Sequence, residues 1–185
     1  MTATGHEAEY LLRISVLSHP DELVGRLVQH LVQKYHGRTT NHTFKAISIS
    51  ISTFRVFIDE CWVKLILYQP IGQRFFDKMV QHYFRSQGAL ILLSKDNPDS
   101  FKSARAFYHD FRLINCDPDV PVAFVEIQDK PYDLILQEAV QLEQGPPDFY
   151  YGIKPDDIKG FGKILLTLIT SNLAVMKATI RQVSV

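Results

Sequence analysis

The residues best placed to do chemistry form one short segment, Ser18-His19-Pro20-Asp21, which holds a nucleophile, a base and an acid. Such a set could serve nucleophilic catalysis, because a hydroxyl is activated by an imidazole that a carboxylate orients. Immediate neighbours at a helix start cannot usually adopt that geometry. The segment therefore reads as a helix start: Ser18 as cap, Pro20 in the first turn and Asp21 three residues after the serine. His19 reads as a surface residue before a proline. His30, His36 and His42 raise the question of a metal, yet no carboxylate or cysteine stands at a ligating spacing from them. Cys61 and Cys116 give neither a zinc pattern nor a disulfide framework and are expected to be reduced thiols.

The whole chain sets bounds on what these residues can serve. Its 185 residues suit one domain with a real core. Twenty basic residues balance twenty acidic ones, so no long-range field draws nucleic acid or anionic lipid to it. The polar start lacks the cationic and apolar blocks of a signal peptide, and the end lacks a cysteine for prenylation. The apolar run Ile164 to Ile169 is short for a bilayer span. These features lead to an expectation of a cytoplasmic protein, possessing no lipid anchor, no integral membrane segment, no nucleic-acid partner and no bound metal.

The elements that position the loops follow from periodicity. Leu11 to Leu17 reads as a strand buried on both faces, and Leu23, Leu27, Leu31 and Tyr35 as a helix ended by Gly37. His36 to Thr43 is polar and loop-like. Strict alternation from Ile47 to Ser52, continued through Ile58, predicts a half-exposed edge strand, with Asp59-Glu60 turning into a hairpin partner over Trp62 to Tyr68. Phe75 to Arg85 reads as a helix or ordered loop. Further strands are expected at Ala89–Leu93, Val120–Ile127 and Phe149–Tyr151, and further helices at Asp99–Leu113, Leu134–Leu142 and Asp156–Ala178. This alternation implies an α/β fold with a mostly parallel, six-stranded sheet, one antiparallel hairpin at its edge and helices on both faces. Residues 1–9 and 179–185 are expected to be tails around one domain over 10–178.

Ligands of such sheets bind beyond the carboxyl ends of the strands, so the loops there matter most. Read in order, they resemble a Ras-superfamily small GTPase of the Rab branch. Trp62-Val63-Lys64-Leu65-Ile66-Leu67-Tyr68-Gln69-Pro70-Ile71-Gly72-Gln73-Arg74-Phe75 is similar to the family's "VKLQIWDTAGQERF", and Tyr83-Phe84-Arg85 to its "YYRGA". Ser100-Phe101 resembles the "SF" that opens the family's third helix, and Asp117-Pro118-Asp119-Val120-Pro121-Val122 its "PDVPVVLVGNK" strand. The resemblance implies a Ras-like G-domain.

It breaks at the positions that carry the family's chemistry. The phosphate loop needs glycines, a lysine and a hydroxyl, so that N–H groups and an ammonium wrap the phosphates and the hydroxyl holds magnesium. Here Val24 falls on the lysine position and Gly25 on the hydroxyl, while Asp21 and Glu22 bring negative charge. At about 4 Å and an effective dielectric near 20, each such repulsion costs roughly 4 kcal/mol. Ala46 falls on the switch-one threonine and Gln69 on the aspartate of "DTAGQ". The guanine-reading "NKxD" becomes Ile127-Gln128-Asp129-Lys130, with a donor-only lysine where an acid should accept. Lys154 alone remains of "SAK", and Gln73 keeps the water-positioning glutamine with no charge stabilisation to act beside.

By resemblance, then, the expectation is a pseudoGTPase without cofactor or catalytic residue. It would act as an adaptor or scaffold subunit of a multiprotein complex, of the trafficking, ciliary or kinetochore kind in which degenerate GTPase folds occur. The alternative is an atypical guanine-nucleotide binder with little or no hydrolysis. Partner-binding candidates are Ile51, Tyr68 and Tyr83, which match an apolar triad read by Rab-type effectors, together with Phe76 and Met79. The alternating strand is a further candidate, as an edge able to pair with a partner's strand.

Overall fold

The computed structural model describes residues 9–18, 22–44, 47–71, 85–94, 97–115, 117, 119–128 and 148–183. The helices expected over Phe75–Arg85 and Leu134–Leu142 lie outside or almost wholly outside that set. In chain order the elements are β1 (Glu9–Ser18), α1 (Glu22–Lys34), β2 (Arg38–Phe44), β3 (Ile47–Ile58), β4 (Cys61–Ile71) and β5 (Gly88–Ser94). Then come α2 (Pro98–Ile114), β6 (Val122–Ile127), β7 (Phe149–Ile153) and α3 (Ile158–Val183). The strands form one sheet of seven in the order β2-β3-β4-β1-β5-β6-β7. From β4 to β7 every neighbouring pair is parallel, while β3 runs antiparallel to both β2 and β4.

The polar segment after α1 corrects two expectations at once. It forms β2, so the sheet has seven strands where six were expected. It also takes the sheet edge beside residues 47–53, so that part of β3 is interior while residues 54–58 pair with β4 alone. The cause lies in cross-strand hydroxyl pairs. Thr39 lies opposite Ser52 with their Oγ atoms 2.8 Å apart, and Thr43 opposite Ser48 at 3.2 Å. Ser52 is buried as a result, and the serines of β3 hold β2 in register instead of facing water. On the other side, β3 pairs with β4 through a two-residue turn. Asp59 (φ 49°) and Glu60 (φ 61°) both take the left-handed conformation that matches the twist of a tight hairpin.

Helix ends follow local chemistry. At the end of α1, His36 (φ 51°) is the left-handed residue, and the Tyr35 and Gly37 N–H groups close onto the Leu31 and Val32 carbonyls. Gly37 is needed for a different reason than helix termination: a Cβ there would sit 2.7 Å from Phe54 Cβ. Ser18 is the last residue of β1, paired with Leu92, four positions before the first helical residue. The capping role expected for it falls on residues 19–21, which lie outside the described residues. For α2 the cap is Asn97, whose side chain accepts from the Asp99 N–H at 3.1 Å ahead of Pro98.

Two apolar layers flank the sheet. On one face Leu12, Ile14 and Val16 of β1 meet Val24, Leu27 and Leu31 of α1 and Phe161, Leu165 and Leu168 of α3. On the other, Ile91 and Phe124 meet Ala104, Tyr108 and Phe111 of α2. By length and composition Ile158–Ala178 could cross a membrane, with mean hydropathy 1.3, a longer segment than the six-residue run weighed from sequence. In this fold its Phe161, Leu165, Leu168, Ile169 and Leu173 face is buried against the sheet and α1, as in the core helix of a globular domain.

Candidate functional site

Parallel register brings the carboxyl ends of β4, β1, β5, β6 and β7 to one rim of the sheet. The start of α1, Gln69 near the end of β4, and Ile127-Gln128 at the end of β6 therefore share that rim, as the spacing of the motifs implies. Of the other predicted positions, Asp21, Ala46, Gln73, Phe76, Met79, Tyr83 and Lys130 lie outside the described residues.

Val24 does not face the rim. Its side chain is fully buried and belongs to the core layer shared by β1, α1 and α3. Gly25 is half-buried, and a Cβ placed on it would meet nothing within 4 Å. A hydroxyl side chain would fit there, so space is not what excludes one. Gln69 is buried opposite Ser50 and precedes Pro70, which offers no N–H. Ile127 packs into the core, and the Gln128 N–H donates to the Ile153 carbonyl at 2.9 Å. Neither residue holds a side-chain carboxylate that could accept from a purine.

Of the effector-type triad, Ile51 and Tyr68 are brought together. They are direct cross-strand partners on β3 and β4, and both are half-buried. The expected use of β3 as a pairing edge is corrected over residues 47–53, where β2 and β4 occupy both sides, while residues 54–58 pair with β4 alone.

The burial of two polar rim residues beside Tyr150 was not read from sequence, although Gln128 was placed at the guanine-reading loop and Glu126 counted among the acids there. Glu126 and Gln128 are buried on the α2 side of β6, beside Tyr150 of β7. Gln128 Oε1 and the Tyr150 hydroxyl meet no hydrogen-bonding partner among the described residues. An acid inside the apolar run Val122–Ile127 was the available signal. Burial, and then the Glu126 carboxylate, raise the Tyr150 phenol well above its ordinary value. The folded chain thus holds this proton more tightly than the unfolded chain does. Its contribution to stability is full below about pH 10, the free phenol's range, and is lost as pH rises beyond it. Tyr150→Phe should flatten the alkaline fall in stability, read as the urea midpoint between pH 8 and pH 11. An unchanged alkaline profile would assign that fall to other groups.

The Ras family model matches residues 21–147, well over half of the chain. The chain belongs to the Ras family. The sheet order, the parallel rim and the antiparallel β3 are those of a Ras-like G-domain. The matched region begins at Asp21, so β1 and the first residues of the phosphate-loop segment, Ser18–Pro20, lie outside it. No curated protein matched the chain in a sequence comparison.

Proposed function

We propose that this Ras family domain is a pseudoGTPase: a protein-interaction adaptor or scaffold subunit that neither holds nor hydrolyses guanine nucleotide. The observation that carries the reading is the burial of Val24, because the position that should supply an ammonium to phosphate supplies an apolar side chain to the core. Losses at Gly25, Ala46, Gln69 and Lys130 run in the same direction. Together they remove the magnesium ligands, the phosphate charge partner and the purine acceptor. Without γ-phosphate and Mg²⁺ there is nothing to hold two switch states, so the surface works in one shape. A trafficking, ciliary or kinetochore-type complex in or reached from the cytoplasm is the setting that suits such a subunit.

Family membership favours a second reading, since Ras family members are usually GTPases. In that reading the domain binds guanine nucleotide weakly and without magnesium, with Lys130 and Lys154 as the candidate cations.

The residues we propose for interaction are the Ile51–Tyr68 pair together with Phe76, Met79 and Tyr83. Aromatic and methionine side chains are the usual anchors of interfaces. Phe76→Asp and Met79→Asp should each release the protein from its native complex, read as a fall in assembly mass on size-exclusion chromatography, while thermal melting stays cooperative. An unchanged assembly with both variants would move the interface elsewhere.

A further inference from the structure

A cleft of about 480 Å³ lies between the end of α1, residues 54–58 of β3 and the first half of α3, and it shares no residue with the strand-end rim. Its floor is carbon: Leu31, Phe54, Val56, Leu165 and Ile169 are all buried. Its polar side chains are three exposed ammonium groups, Lys34, Lys159 and Lys163, and the Tyr35 phenol. The Tyr35 ring stacks on Phe54 with centroids 5.5 Å apart, and Lys34 Nζ lies 5.2 Å from that ring. None of the three lysines has a carboxylate partner among the described residues. In a chain with no net charge, this is a local cationic rim around an apolar hollow.

We infer that the cleft binds a fatty carboxylate, its alkyl chain on the carbon floor and its head group among Lys34, Lys159 and Lys163. The volume is within the range of small-molecule sites, about 300–1,000 Å³, and an apolar lining with a few convergent polar groups is their usual make-up. Charge selects an anion. The lining selects an acyl chain over a peptide. β2 pairs only with residues 47–53 of β3, so residues 54–58 along the cleft are bonded on the β4 side alone, and the choice of an acyl chain rests on the side chains. Among the described residues no carboxylate, amide or aliphatic hydroxyl side chain lines the cleft to meet a peptide's N–H and C=O groups, whose burial without partners is unfavourable. An alkyl chain has no such groups to satisfy.

The reading is tested by titrating the full chain with laurate, below its micelle threshold. Two readouts are used, calorimetry and the fluorescence of Trp62, the single tryptophan, whose ring is 5.2 Å from that of the cleft residue Phe57. Saturable one-to-one binding is expected, weakened at least tenfold in a Lys159→Glu/Lys163→Glu variant. Dodecyltrimethylammonium should not bind. Gly162 lines the cleft, and a Cβ there meets only Leu31 Cδ2 at 3.9 Å, so Gly162→Met fills the hollow and should abolish binding. Should that variant fail to melt cooperatively, the lysine pair decides. Absence of saturable laurate binding, equal binding by the lysine variant, or equal binding of the cationic amphiphile would each overturn the inference. So would binding of an acidic amphipathic peptide with no binding of laurate, which would give the cleft to a protein partner.

Discussion

Val24→Lys should destabilise the domain by about 3–5 kcal/mol and should not create a nucleotide site, although it restores the residue type that Ras family phosphate loops carry. The magnitude is that of an uncompensated charge left in a protein interior. Val24 is fully buried among β1, α1 and α3 side chains, and none of the core layer around it carries an acid. A Val24→Ala control removes methyl groups without adding charge and should lose less. Gly25→Thr should be tolerated because the space beside Gly25 is open, and the double variant should bind GTP no better than the parent. Urea unfolding of the four proteins reads the stability part. A Val24→Lys protein of near-parental stability that acquires Mg²⁺-dependent GTP binding would show that the loop is one substitution from working.

Phe124→Ala should cost about 3–5 kcal/mol, the usual range for emptying a buried aromatic position. Phe124 is fully buried at the centre of an aromatic row, 5.6 Å from the Tyr108 ring and 6.2 Å from that of Tyr150. It therefore joins α2 to β6 and β7. Arg112 extends the row by lying over Tyr108 at 5.3 Å, donating to the Val120 carbonyl at 2.7 Å and pairing with Asp148 at 3.1 Å. Asp148 in turn accepts from the Val122 N–H at 2.7 Å. Loss of the central ring should loosen this end of the sheet first, so hydrogen exchange at β7 should rise more than at β1. Equal protection of both strands in the variant would show that the aromatic row is not what secures β7.

What could be read from sequence was whatever its own periodicity or motif spacing determines. β5 is a continuous apolar run and β1 and β6 are mostly apolar, broken by Arg13, Ser15 and Glu126, and α1, α2 and α3 carry apolar residues at helical intervals, so each was visible alone. β2 was not. Its residues Arg38 to Thr43 are polar and exposed, and nothing in them alternates. They form a strand because Ser48 and Ser52 of β3 meet Thr43 and Thr39 across the ladder, a property of the pair and of neither segment alone. The same omission made residues 47–53 of β3 look like an edge, although β2 covers them.

At the candidate site, the replacements at 24, 25, 69, 127 and 128 were legible because the motifs have fixed spacing. That Val24 points into the core was not, since helix phase relative to the sheet is set by packing. The buried Glu126–Tyr150 neighbourhood depends on the pairing of two strands more than twenty residues apart in sequence, and the lysine-rimmed cleft on three distant segments.

The most direct test of the central claim is a thermal-shift and calorimetric titration of the purified protein with GTP and with GDP, each with and without Mg²⁺. A ligand present at 100 times its dissociation constant adds about 2.7 kcal/mol of stability, which a melting curve resolves easily. The account predicts no shift and no binding heat at millimolar nucleotide. A saturable, Mg²⁺-dependent shift would contradict it and return the domain to the nucleotide switches of its family.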